Sequence, residues 1–418
     1  MNICVFGTTL QAGVFAGLFA EYGHHVYWCP RVGIENQSSV HYQDEDLNQL
    51  IQKQINNNSI QLVGVKQLQL QSEVFLLSFN PSEFDQAKSL VEELKQLPII
   101  HPKLMINGST FGLQGTEKLK DILNTDYWAY LPDTIQEGNA IQSFTGLKQV
   151  IAGVDQDATS AILKELLRPF FQLKQQYLFM PFLDAEFTKL SISGMLATRI
   201  SYINDMAQVA EKLNIDIQNV KQGLAADSRI GSAYLAPGAG FGGENFSHDI
   251  LTLSNTIANT GVKSQLLAQV WDINEQQKEI LFRKFWNYYH GDLQGKSIAI
   301  WGASFKENTS SIQQSPIHQM LAALWAQGVT VYLHDPQALD EIRLMYGQRD
   351  NLVLCEDQYD AVRNVHGLCL LTAWKQYWSP EFKQLERLMA HPLILDGRNI
   401  YDPDYVKAQG FAYMGVGR

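Results

Sequence analysis

The run "NICVFGTTLQAGVFAGLFAEYGHHVYWC", Asn2 to Cys29, decides the fold class. It opens with an apolar strand, "NICVF", that ends on a glycine. A helical segment follows from Gln11 to about Tyr22, then a second apolar strand, "HHVYWC" (His24 to Cys29). Strand, glycine turn, helix and strand within some thirty residues begin a doubly wound parallel sheet. Further strands are expected at 73–79, 103–108 and 148–154. The glutamine- and asparagine-rich piece from Asn48 to Gln71 keeps a regular apolar recurrence and reads as a solvated helix and strand.

The pattern changes near Asp184. In "AEFTKLSISGMLATRISYINDMAQVAEKL", Phe187, Leu190, Leu196, Ile200, Ile203, Met206 and Val209 recur at helical spacings, which predicts one helix of about thirty residues. A helix of that length needs a partner along its flank. Helical segments continue to about Tyr289, broken by a glycine stretch from Gly231 to Asn245. The first pattern then restarts: "KSIAIWG" (296–302) is a strand into glycine, with a helix over about Ser315 to Gln327 and strands at 329–336, 367–374 and 393–397. "QGVTVYLHDP" echoes "YGHHVYWCP", each a helix end, a glycine and a strand closing on proline. The expected fold is α/β: two Rossmann-like doubly wound domains, 1–183 and 291–418, joined by a long central helix and a helical dimerisation domain, 184–290.

Composition narrows the function classes. The 418 residues carry a formal net charge of −11, which leaves no positive surplus for a general nucleic-acid binder. No segment reads as a secretory signal or membrane span, so neither export nor membrane insertion is expected. Cys4, Cys29, Cys355 and Cys369 show no metal or disulfide spacing and sit in strand-like runs. Buried thiols in a reducing cytoplasm, and no metal, are the expectation.

Several constellations carry possible chemistry. "GTTLQAG" lies where a dinucleotide fold places G-x-G-x-x-G: Gly7 supplies the tight turn, Thr9 replaces the second glycine and Ala12 the third. Strand two ends in Cys29-Pro30-Arg31, without an acid for ribose hydroxyls; Arg31 suits a 2′-phosphate instead. Two readings stay open, a dinucleotide site and a sheet kept as scaffold. Ser109 and Thr110 follow a strand's carboxyl end, as ligand contacts or as a helix cap. Asp133 and Glu137 lie four apart in a turn, as site acids or as solvated loop residues. On the long helix Lys189 precedes Ser193 by one turn, and the glycine stretch "PGAGFGGENFSHDI" (237–250) supplies Asp249 as an acidic partner.

These pieces, in this order, resemble the UDP-glucose/GDP-mannose dehydrogenase family over essentially the whole chain. The resemblance is carried by "AEFTKLSISGMLATRISYIN", "DSRIGSAYLAPGAGFGGENFSHDI", "WGASFKENTSSIQQSP" and "LDGRNIYD", with "YLHDP" and "LLTAW". It implies a dinucleotide-binding domain, a dimer-building central helix and a sugar-nucleotide domain. It also implies oxidation of a nucleotide sugar's primary alcohol to an acid, in two hydride transfers to NAD, with a cysteine thiolate capturing the aldehyde. Carried onto this chain, the "GGSCFPKD" loop reads "GGENFSHD", so Asn245 replaces the nucleophilic cysteine. An amide cannot form a thiohemiacetal. Asp249, Lys189 and Thr110 match site residues; Ser193 replaces an asparagine, Asp133 a glutamate, and Glu137 is a retained glutamate.

On the sugar-nucleotide side Arg229 matches an arginine that reaches across a dimer, and Gly240, Phe241, Gly242, Gly243, Lys306 and Arg398 match substrate-binding positions. On the NAD side Thr9, Pro30, Phe79 and Gln313 depart from the family pattern. The expectation is therefore a homodimer, built through the central helix, that binds a nucleotide sugar, most directly a UDP-sugar. It does not complete the four-electron oxidation, and NAD or NADP binding is in question. The alternative is an NAD(P)-dependent nucleotide-sugar dehydrogenase with two-electron chemistry or another substrate.

Overall fold

Strands whose two faces are both covered read as continuous apolar runs, and "ICVF" is such a run, with Ile3, Cys4, Val5 and Phe6 all fully buried. The structure is a computed structural model that describes residues 1–31, 34, 38, 40–68, 72–97 and 103–418. Part of the expected strand and helix between Asn48 and Gln71 lies outside the described residues. The chain forms two compact units, Met1–Ile192 and Ser193–Arg418.

The first unit holds an eight-stranded sheet: β1 (Asn2–Phe6), β2 (His25–Cys29), β3 (Ile60–Leu62), β4 (Val74–Leu77), β5 (Leu104–Asn107), β6 (Trp128–Tyr130), β7 (Val150–Val154) and β8 (Tyr177–Met180). Their order is β3-β2-β1-β4-β5-β6-β7-β8. Neighbours run parallel except β6 and β7. The chain thus winds outward from β1 to β3, returns to the other side of β1 and continues, which puts a switch point between β1 and β4. The helix Leu10–Glu21 is buried from Gln11 to Ala20, because sheet and neighbouring helix cover opposite flanks. Gly17 permits the second contact: a Cβ there would meet Leu50 Cδ2 at 3.0 Å.

The second unit repeats the design with β9 (Ser297–Trp301), β10 (Thr330–His334), β11 (Leu352–Leu354), β12 (Leu368–Leu370), β13 (Leu393–Asp396) and β14 (Ala412–Gly415). The order is β11-β10-β9-β12-β13-β14, all parallel. Both expected doubly wound sheets are present. β6, β8, β11 and β14 were not anticipated; at three or four residues each they are too short for a period to show.

The long helix runs from Phe182 to Lys212, 31 residues. Helices Ile217–Ala226, Glu244–Asn259, Leu266–Gln277 and Ile280–Tyr288 follow. The glycine stretch is shorter than expected, because Gly243, at φ 93°, caps a helix that already includes Glu244 and Asn245. Among the described residues no helix is long and apolar enough to cross a membrane.

Candidate functional site

In the first unit the turn after β1 is built on Gly7. Its φ is +105°, and a Cβ added there would lie 1.8 Å from the Ser78 carbonyl oxygen, so the residue is fixed by the neighbouring chain. Thr9 then caps the helix Leu10–Glu21, its Oγ1 accepting from the Ala12 amide at 3.1 Å. The same hydroxyl lies 2.5 Å from Ser78 Oγ. Ser78 donates to Gln11 Oε1 at 2.8 Å, and Gln11 Nε2 donates to the Leu131 carbonyl at 3.2 Å. A dinucleotide's pyrophosphate rests against glycine backbone at this terminus, using its amides. Here a β-branched side chain stands at that position and already holds one amide. The turn does not fit a dinucleotide in the G-x-G-x-x-G manner. The ring of Phe79 is buried with Phe6, Cys29 and Leu77 in the core, and its amide donates to Ser109 Oγ at 2.9 Å.

The other residues predicted in this unit are spread along the carboxyl ends of the strands. Arg31 is exposed just past β2, and Thr110 is buried beside Ser109 past β5. Asp133, past β6, accepts from the Ile135 amide at 3.0 Å, while Glu137 is exposed. Lys189 is half-buried on the long helix. Glu186, one turn earlier, went unnoticed in the sequence. It is 3% exposed, and its carboxylate accepts from the Gln114 and Thr116 amides at 2.6 and 2.9 Å, ahead of and within helix Gly115–Ile122. Burial raises its pKa, and the hydrogen bonds from Thr116 and Gln114 oppose that rise.

In the second unit a helix holds the glycine loop by its backbone. Asn274, fully buried, accepts the Phe241 amide on Oδ1 at 2.7 Å and donates Nδ2 to the Phe241 carbonyl at 3.1 Å. Gln277 Nε2 donates to the Gly238 carbonyl at 2.8 Å, and Asn204 Oδ1 accepts the Gly238 amide at 2.8 Å. The glycines are there for close approach: a Cβ at Gly242 would lie 2.5 Å from the Gln314 carbonyl oxygen. Gly240 lies against Asn274 and Lys278, and Gly243 against the Phe305 ring. Asn245 is exposed at the second position of helix Glu244–Asn259. One turn on, Asp249 is buried and accepts from Ser193 Oγ at 2.7 Å, so two predicted residues of the long helix and the loop do meet. Asn274 and Gln277 were missed because a polar pair in "DINEQQ" does not announce which side is buried.

The positively charged candidates of this unit differ in how firmly they are held. Arg229 is exposed and grips Asp227, with Nη2 to Oδ2 at 2.7 Å; that hydrogen bond lowers the Asp227 pKa. Lys306 is half-buried with its ammonium 5.6 Å from the Phe305 ring centroid. Arg398, just past β13, donates Nε to the Leu371 carbonyl and Nη2 to the Phe305 carbonyl, the latter at 3.2 Å. Burial lowers its pKa, countered by Glu307 and Asp396. Asp335, at the end of β10, is spent within the fold: its Oδ2 accepts from the Ala303 and Ser304 amides at 2.7 and 3.1 Å.

None of the four cysteines offers a substitute thiolate. All are buried, and burial pushes the thiols of Cys4 and Cys29 up to about 12 and that of Cys355 to about 11. Cys369 is raised as well. A thiol so shifted is un-ionised at neutral pH.

Comparison with known proteins gives the lineage. The family model described as "UDP-glucose/GDP-mannose dehydrogenase family, central domain" matches residues 183–276, and the "UDP binding domain" model matches 299–403. UDP-glucose 6-dehydrogenase of Pseudomonas aeruginosa is 29% identical over 442 residues, covering 100% of this chain and 98% of the relative. That of Rhizobium meliloti is 31% identical over 289 residues, 69% of this chain and 65% of the relative. Among solved structures, a UDP-glucose dehydrogenase from Pyrobaculum islandicum superposes with a TM-score of 0.86 at 22% identity, covering 100% of this chain and 97% of that one. A UDP-D-ManNAc dehydrogenase from Pyrococcus horikoshii gives 0.82 at 19%, covering 100% and 99%. At such identities the structures speak for the fold, and the sequence matches for the lineage: this chain belongs to the UDP-glucose/GDP-mannose dehydrogenase family.

Proposed function

We propose that this protein binds a nucleotide sugar, a UDP-sugar, and does not carry the sugar through a four-electron oxidation. The observation that carries the proposal is Asn245. It stands exposed near the amino terminus of helix Glu244–Asn259, where the family places its nucleophilic cysteine. A carboxamide has no lone pair basic enough to add to an aldehyde, so the covalent intermediate that permits the second hydride transfer cannot form. The sugar-nucleotide residues are kept: Gly240, Phe241, Gly242 and Gly243 in a clamped loop, with Arg229, Lys306 and Arg398 at the family's positions. Arg398 is held rigidly enough to present a fixed charge to phosphate. By the resemblance to the family, Lys189, Asp249, Thr110 and Asp133 match its catalytic positions.

The proposal extends to a homodimer formed through the long helix. What supports it is the row of exposed apolar side chains along that helix: Phe187, Met195, Tyr202 and Val209, the last three at intervals of seven. Met195 is 64% exposed, which is costly for a monomer to leave in water along so long a face.

A thermal-shift panel tests the ligand. UDP-sugars at about a hundred times their dissociation constant should add about 2.7 kcal/mol, a rise on the order of 5–10 °C, and GDP-sugars much less. In parallel, UDP-glucose with NAD or NADP should yield no UDP-glucuronate. Turnover at ordinary enzyme rates, or no shift with any nucleotide sugar, would sink the proposal. Sedimentation of the chain beside Tyr202→Glu tests the dimer.

A further inference from the structure

We propose that the crevice at the switch point of the first sheet is closed by the protein's own side chains. Thr9, Ser78 and Gln11 occupy the place of a dinucleotide's phosphates and make this unit a scaffold. The inference deepens the proposed function. It rests on that reading only in taking the sheet as one descended from a dinucleotide site.

Between β1 and β4 the chain leaves the sheet in opposite directions, and the gap between the departing loops is where open α/β sheets take their ligands. Thr9 lies just past β1, and Ser78 directly follows β4. Their hydroxyl oxygens are 2.5 Å apart, so the two side chains meet across the gap. The hydroxyl protons have one consistent placement. The Ala12 amide donates to Thr9 Oγ1, Thr9 donates to Ser78 Oγ, Ser78 donates to Gln11 Oε1, and Gln11 Nε2 donates to the Leu131 carbonyl. Gln11 also fills the space over Gly108, directly past β5: a Cβ there would lie 2.2 Å from Gln11 Oε1. One hydrogen-bonded chain therefore ties the first turn to the ends of β4 and β6 and seals the end of β5.

Gln11 and Ser78 are each 1% exposed. Polar groups that await a ligand face solvent until it arrives; these are buried and already bonded to one another. A pyrophosphate could reach the helix terminus only by displacing the Thr9 side chain, taking the Ala12 amide from it and leaving Ser78 and Gln11 buried with broken bonds. Nothing in "GTTLQAG" alone reveals this, because Ser78 is 69 residues away from Thr9.

The test is a gain of binding. Thr9→Gly removes the side chain that spans the crevice, and glycine is itself an acceptable helix cap, so the fold should survive. Titration of the full chain with NADH and with NADPH, followed by calorimetry, should give no saturable binding to wild type up to about 1 mM. Thr9→Gly, or Thr9→Gly with Gln11→Val, should bind at least about tenfold more tightly than that limit. Thr9→Ser, which keeps both cap and bridge, should behave like wild type. Micromolar binding to wild type overturns the inference, and so does a folded Thr9→Gly protein with no gain. The UDP-sugar thermal shift serves as the separate arm. It should be the same in all four proteins, and its absence throughout would count against the nucleotide-sugar reading rather than against the closed crevice.

Discussion

Replacing Asn274 separates a loop that is held from one that merely packs. Its amide serves both backbone groups of Phe241, at 2.7 and 3.1 Å, in a place where Asn274 is fully buried and Phe241 is 7% exposed. Asn274→Ala leaves one N–H and one C=O without partners and out of reach of bulk water. Each orphaned group costs about 1–3 kcal/mol, so the loss should be roughly 2–6 kcal/mol. For a unit of this size a kcal/mol moves the midpoint by about 2–4 °C, which predicts a drop on the order of 10 °C in scanning calorimetry of the full chain. Nucleotide-sugar binding should weaken with it, because Phe241 lies within the glycine loop.

Asn274→Asp refines the test. One carboxylate oxygen still accepts the Phe241 amide, but the other faces the Phe241 carbonyl, and burial together with that carbonyl raises the folded-state pKa of the new acid. A group raised in the folded state contributes stability below its unfolded value, about 3.9, and loses it as pH rises through the folded value. The aspartate variant should therefore come close to wild type near about pH 4 and fall away toward pH 7. If Asn274→Ala lost less than about 0.5 kcal/mol, or Asn274→Asp matched wild type at neutral pH, the account of the clamp would be wrong.

Glu186→Gln should change how stability depends on pH. The wild-type carboxyl is raised by burial, so its contribution declines as pH climbs above about 4.3; the glutamine variant should lack that decline, as urea unfolding between about pH 4 and 7 would reveal. The opposite slope would mean that the amide hydrogen bonds outweigh burial. Arg229→Ala should leave the melting temperature unchanged, because the Arg229–Asp227 pair is exposed, yet weaken UDP-sugar binding; equal affinities would remove Arg229 from the site. Asn245→Cys alone should not restore NAD reduction with UDP-glucose, since the first unit still lacks room for the cofactor, whereas Asn245→Cys with Thr9→Gly should give measurable turnover. Full activity of the single variant would show the crevice to be open.

The architecture was legible wherever burial is two-sided. β1 and β9 carry unbroken apolar runs, Ile3–Phe6 and Ile298–Trp301, and the recurrence from Phe187 to Val209 marked the long helix. Short strands such as β6 and β11 escaped because three residues contain no period. The candidate site was readable only as matched positions, since Asn245, Asp249 and the glycine loop stand in local motifs. Its supports were not. Thr9 with Ser78, Asn274 with Phe241 and Glu186 with Thr116 are pairs far apart in the chain, and a polar residue within an apolar helix does not name its partner.

Gly7 teaches how such chains should be searched for. Any side chain at that position would strike the Ser78 carbonyl, whether or not a ligand ever visits, so the glycine reports on the sheet's carpentry and is silent about its tenants. Two residues on, Thr9 has φ −63°, an angle open to every amino acid. Where the backbone makes no demand, the residue found records what occupies the space above it. In distant relatives, the letter two places after the turn is therefore the one to read.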